Sequence, residues 1–159
     1  GKLADPIADK ALVLTALLVI AAYSGLAIWI VLPSGIIIFR EVFVSGLRET
    51  LGDKAKALKV TRIGKWKTTV QMVAIPLLLL AGIFQYDYLV IYNQIGLEGE
   101  LAVLSGEAAD EFGLRGTVWR FQAAQYAGLV TMWIAGVLTL ITGIDYFRKA
   151  LPFLTPKEG

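Results

Sequence analysis

Asp5 and Asp9 stand four residues apart where an apolar run begins. At about 100° per residue their side chains fall on one face of a helix, with Asp9 one turn deeper. Gly1 falls on the same face, where the missing side chain would let a ligand or another backbone approach closely. A plainer role also fits this spacing. Asp5 could cap a helix whose first residue is Pro6, and Asp9 could simply favour the positive end of the helix dipole. Depth favours a functional site, because an ionised carboxylate inside an apolar run is costly unless it lines a polar cavity or meets a cation.

A second cluster reads Arg40-Glu41, then Ser45, Arg48 and Glu49. Arg40 and Arg48 share a helix face at i, i+8, and Glu41 and Ser45 form the neighbouring stripe. Arg48 and Glu49 suit the wet end of a helix. Arg40 and Glu41 lie two turns deeper, where an internal ion pair or snorkelling is the alternative to a site. A third cluster runs Gly64-Lys65-Trp66-Lys67-Thr68-Thr69-Val70-Gln71-Met72. Lys65 and Lys67 alone could be membrane-edge anchors. Anchoring does not account for Thr68, Thr69 and Gln71 one turn further in.

The chain contains no cysteine and no histidine. A general base must then be a carboxylate, a lysine or a tyrosine, and a metal must be a hard, oxygen-preferring ion such as Mg²⁺ or Mn²⁺. Carboxylates suit such an ion, while arginine and lysine suit phosphate. Together the three clusters suggest phosphoryl chemistry at a membrane surface.

The elements that must position these residues are membrane helices. Hydrophobic residues make up 57% of the chain and charged ones 18%, too apolar a balance for an ordinary soluble domain. The apolar runs divide into four expected spans of one membrane domain, residues 1–159, at about 5–24, 27–48, 66–85 and 119–147. Pro33 inside the second should kink it, which a membrane tolerates when a neighbour satisfies the freed carbonyl. Trp66, Tyr86, Tyr88, Trp119 and Tyr146 lie near span ends, as interfacial aromatics do. Arg48, Lys54, Lys56, Lys59, Arg62, Lys65 and Lys67 cluster between the second and third spans, and Arg148, Lys149 and Lys157 follow the fourth. That side is expected to be cytoplasmic. The opposite segment carries Asp87, Glu98, Glu100, Glu107, Asp110 and Glu111, and is expected as an outward loop over about 86–118 with a short interfacial helix near 100–111. The chain opens at Gly1 without an initiator methionine or a recognisable signal peptide, which reads as a portion of a longer protein.

With these residues in hand, Gly1-Lys2-Leu3-Ala4-Asp5-Pro6-Ile7-Ala8-Asp9 resembles the second half of the signature of the CDP-alcohol phosphatidyltransferases, D-x-x-D-G-x-x-A-R, a short spacer, then G-x-x-x-D-x-x-x-D. Arg-Glu-x-x-x-Ser-Gly-Leu-Arg-Glu and Gly-Lys-x-Lys-Thr-Thr-x-Gln-Met are similar to the phosphatidylglycerophosphate synthase branch, and the likeness extends to Thr142-Gly143-Ile144-Asp145-Tyr146. It is weakest over 85–116, a segment longer than that family leads one to expect.

The resemblance implies an all-α bundle of six spans, a homodimer in the inner membrane with its active site at the cytoplasmic face, and two divalent ions, Mg²⁺ or Mn²⁺. Asp5 and Asp9 would belong to the metal site, with Asp9 as the general base. The substrates implied are CDP-diacylglycerol and sn-glycerol 3-phosphate, with Arg40, Arg48, Lys65 and Lys67 as candidates for the acceptor's phosphate. The first half of the signature, with its two aspartates and the first two spans, is absent from this sequence. Two other readings compete. One is a relative with a different acceptor, a second lipid as in cardiolipin synthesis or an inositol phosphate, against which Lys-x-Lys-Thr-Thr-x-Gln-Met argues. The other is a small transporter or scaffold. Charges that gather at one face and never reach mid-membrane in the third and fourth spans argue against that. Nucleic acid is not an expected partner at a net charge of +2.

Overall fold

In lipid, backbone N–H and C=O groups find no water, so an apolar run closes its hydrogen bonds within itself as a helix. The computed structural model describes the backbone of residues 4–58 and 62–154 and the side chains of 8–55, 58 and 66–154. Helix α1 spans Ala4–Tyr23, α2 Ile28–Leu51, α3 Arg62–Ser105 and α4 Leu114–Leu154, with a 3₁₀ segment at Gly52–Ala57 after α2. Among the described residues, Ile28–Ala55, Trp66–Ser105 and Leu114–Leu154 are long and apolar enough to cross a membrane.

The helices run up, down, up, down. α1 and α2 are joined by a tight turn in which Gly25 and Leu26 both take positive φ, and the Leu26 N–H closes the end of α1 by donating to the Ala21 carbonyl at 3.0 Å. All four helices contribute to the core, with Leu17 and Ile20 from α1, Ile30 and Ile37 from α2, Ala74, Ile75 and Leu78 from α3, and Met132 and Ala135 from α4. Gly128 and Gly136 let the helices close up. A Cβ at Gly128 would meet the Leu78 side chain at 2.8 Å, and one at Gly136 would meet Pro33 at 3.2 Å. Small residues at such crossings are how membrane helices gain dispersion contacts when the hydrophobic effect no longer separates helix from lipid.

Pro33 has no N–H to offer the Trp29 carbonyl four residues earlier. That carbonyl instead accepts a hydrogen bond from the Trp133 indole Nε1 of α4 at 3.0 Å, the compensation by a neighbour expected from the sequence. Trp133→Phe should therefore lower stability by about 0.6–1.7 kcal/mol. Unfolding in a detergent titration would read this, and an unmoved midpoint would mean that the carbonyl has another partner.

The segment expected as an outward loop differs. α3 stays helical to Ser105, broken at Gly96 with φ 67° and ψ −177°, and only 106–113 connects it to α4. No helix covers 100–111 as one element, since α3 ends within that range. The reason lies in packing between α3 and α4. Tyr88 stacks on Phe121 with centroids 6.5 Å apart, Arg120 lies over the Phe84 ring at 5.5 Å, and Tyr88 donates to Glu100 at 2.8 Å. Asp110 accepts from the Leu114 and Arg115 backbone N–H groups at 2.6 and 3.0 Å, capping α4. The Arg115 Nε donates to the Val103 carbonyl at 2.9 Å, tying the two arms together.

Candidate active site

Where α1 and α3 begin and α2 ends, three helices enclose a polar cavity of about 280 Å³. Asp9 and Lys10 come from α1, Arg40, Glu41 and Arg48 from α2, and Lys67, Thr68 and Gln71 from α3, with Val13, Leu14 and Met72 as an apolar wall. The periodicity of α2 makes this possible, because Arg40, Glu41 and Arg48 fall within about 100° of the helix circumference over little more than two turns.

Glu41 organises the cavity. Its carboxylate accepts from the Arg40 Nη1 at 3.1 Å and from the Lys67 Nζ, so that one acid joins neighbouring cations of α2 and α3. The Lys67 and Glu41 side chains are 8% and 19% exposed, and charges held this far from water persist only when paired. Lys10 donates to the Ser45 hydroxyl, which in turn donates to the Glu41 backbone carbonyl at 2.6 Å, linking α1 to α2. The Arg48 guanidinium lies over the Tyr146 ring of α4, 5.3 Å from its centroid. Among the described residues it has no carboxylate partner.

Among the described residues the lining holds four cations against two carboxylates, and of these Glu41 is already committed to Arg40 and Lys67. A surplus of positive charge in a partly enclosed space selects for a polyanion, and arginine and lysine are suited to phosphate. Asp9 is exposed and, among the described residues, its carboxylate is tied in no hydrogen bond or ion pair. It is therefore available to accept a proton or to meet a cation.

Of the residues singled out in the sequence, the structure brings Asp9, Arg40, Glu41, Arg48, Lys67, Thr68 and Gln71 to one cavity. Ser45 supports it from behind through Lys10, and Thr69 does not line it. Gly1 and the side chains of Asp5 and Lys65 lie outside the described residues. Lys10 and Tyr146 were missed. A lysine one turn inside an apolar helix was itself a signal, by the cost of placing it there. Tyr146 carries none, because an aromatic near a span end reads equally as an interfacial anchor.

No three Asp, Glu, His or Cys side chains among the described residues gather as a ready metal cluster. Asp9 supplies carboxylate oxygens of the kind that Mg²⁺ or Mn²⁺ takes. The donor chemistry fits such an ion.

Residues 1–103, which contain every cavity-lining side chain, match the family model described as CDP-alcohol phosphatidyltransferase. The chain belongs to this family. A relative from Cereibacter sphaeroides is 50% identical over 159 residues, covering 99% of this chain and 72% of its own length. Relatives from Haemophilus influenzae and Escherichia coli K12 are each 30% identical, cover 94% of this chain, and are spanned over 61% and 62% of their own lengths. All three are named CDP-diacylglycerol–glycerol-3-phosphate 3-phosphatidyltransferase. No solved structure matches the chain. Membership in a family of transferases places the polar cavity in an enzyme.

Proposed function

We propose that the protein transfers the phosphatidyl group of CDP-diacylglycerol to sn-glycerol 3-phosphate and releases CMP. The observation that carries this reading is the cationic surplus beside the Asp9 carboxylate, with neither Arg48 nor Asp9 in an ion pair among the described residues. The names of the relatives support the same substrates. Asp9 takes the proton from the 1-hydroxyl of the acceptor, whose oxygen forms the new bond to the phosphatidyl phosphorus as the bond to the CMP oxygen breaks. Arg48, with Arg40 and Lys67 behind it, holds the acceptor's phosphate, and Lys65 belongs to the same reading by its place at the start of α3. Asp5 would hold a divalent ion next to Asp9, an ion that when bound neutralises charge building on the pyrophosphate. Gln71, 4% exposed, and Thr68 offer neutral hydrogen bonds within reach of the same volume.

The purified protein in mixed lipid–detergent micelles should release CMP from CDP-diacylglycerol only when sn-glycerol 3-phosphate is added. Release with an inositol phosphate or with phosphatidylglycerol as the sole acceptor, and none with glycerol 3-phosphate, would overturn this reading in favour of another branch of the family.

The same proposal includes α1 as a fourth span, a homodimer, and a cytoplasmic cavity. The lysines and arginines between α2 and α3 support that orientation. Cysteines placed at the exposed Lys54 and Glu107 should label from opposite sides of intact cells, with Glu107→Cys reached from outside. Labelling of both from one side would remove this topology.

A further inference from the structure

We infer that Tyr146 is the positioning residue for Arg48, its ring holding the guanidinium toward the acceptor's phosphate. This rests on the acceptor reading given above. Arg48 is exposed, carries a long and mobile side chain, and finds no carboxylate among the described residues. Left alone, it would spread over many rotamers, and binding a phosphate would have to order it. Its guanidinium instead lies 5.3 Å from the centroid of the Tyr146 ring, inside the range in which a cation is attracted to an aromatic face.

The choice of partner matters. Glu41 orders Lys67 and Arg40 but neutralises much of their charge in doing so. An aromatic face orients a guanidinium through its quadrupole and leaves the whole positive charge for the ligand. Tyr146 can do this rigidly, being only 6% exposed on α4. It does not itself line the cavity, so its effect must pass through Arg48. One turn earlier on the same helix, Gly143 makes room for the other arginine, since a Cβ there would come within 2.9 Å of the Arg40 Cγ. α4 contributes no side chain to the cavity, yet it abuts both arginines of α2.

Among the described residues the buried Tyr146 hydroxyl has no hydrogen-bond partner, so Tyr146→Phe removes no described bond and keeps the ring. In the intact enzyme Tyr146→Phe should hold both Michaelis constants within about twofold. Tyr146→Leu should raise KM for sn-glycerol 3-phosphate about 3- to 30-fold, with KM for CDP-diacylglycerol unchanged. Added to Arg48→Ala, Tyr146→Leu should do nothing further, because the group through which it acts is gone. Should Tyr146→Leu fail to fold, Tyr146→Met carries the same test, filling a similar space without a ring. Additive losses in the double variant, an equal rise in both Michaelis constants, or a Tyr146→Phe as impaired as Tyr146→Leu would each overturn the inference. An Arg48→Ala enzyme with an unchanged acceptor KM would instead remove the acceptor reading, and the inference with it.

Discussion

Asp9→Asn should abolish nearly all phosphatidyl transfer while CDP-diacylglycerol still binds. Among the described residues two carboxylates line the cavity, and only one of these two is uncommitted. Glu41 already accepts from Arg40 and Lys67, so taking up a proton would forfeit two ion pairs in a partly desolvated setting. Asp9 forfeits none among the described residues. Asparagine keeps the shape and polarity of the side chain but cannot take the proton of the acceptor's hydroxyl. The loss should be about 10²- to 10⁴-fold in kcat, with donor binding spared, because a base acts in the transition state more than in the ground state. Titration of CDP-diacylglycerol binding beside single-turnover CMP release separates the two. Asp5→Asn should differ, weakening metal binding, so that added Mg²⁺ restores part of its rate. Glu41→Gln should chiefly destabilise the fold by leaving Arg40 and Lys67 without their acid. Wild-type turnover in Asp9→Asn would remove the base assignment.

Much of this was legible in the sequence wherever a physical cost was visible. Arg40 and Glu41 inside an apolar run had to be paired or functional, and they are paired, with Lys67 completing the group. Pro33 in a span required a substitute donor for the carbonyl it frees, and Trp133 supplies one. The partner's identity was not legible, because 104 residues separate Trp133 from Trp29 and no local pattern records a contact of that range. The reach of α3 past Tyr86 was misread for a different reason. A run too short to cross a bilayer reads as a loop, whereas Tyr88, Phe121, Arg120 and Phe84 continue the α3–α4 hairpin by aromatic packing. Gly96 marked a real break in the backbone, but the chain resumes as helix on its far side. Lys10 carries the same cost inside its apolar run as Asp9 beside it. In the structure it is the tie from α1 to Ser45 of α2.

The acceptor pocket separates its cations into two kinds, and the separation decides which substitution is informative. Lys67 and Arg40 share Glu41, so alanine at either one strips a partly buried acid of a partner and perturbs the fold as well as the ligand. Arg48 has no such debt among the described residues, and its removal should be felt by the ligand alone. Truncating a charged contact to phosphate costs about 1.5–3 kcal/mol, which corresponds to about 10- to 150-fold in affinity. Arg48→Ala should therefore raise KM for sn-glycerol 3-phosphate by about that factor while KM for CDP-diacylglycerol stays within about twofold. Lys67→Ala should raise the acceptor KM too, but with a lowered unfolding midpoint. Raising the ionic strength should weaken acceptor binding in the wild type more than in Arg48→Ala, since the exposed guanidinium contributes the most screenable charge. Equal losses for both substrates in Arg48→Ala would assign the residue to the donor or to the fold. An unchanged acceptor KM in Arg40→Ala, Arg48→Ala, Lys65→Ala and Lys67→Ala alike would show that the surplus charge serves some other anion, and the glycerol phosphate assignment would fall with it.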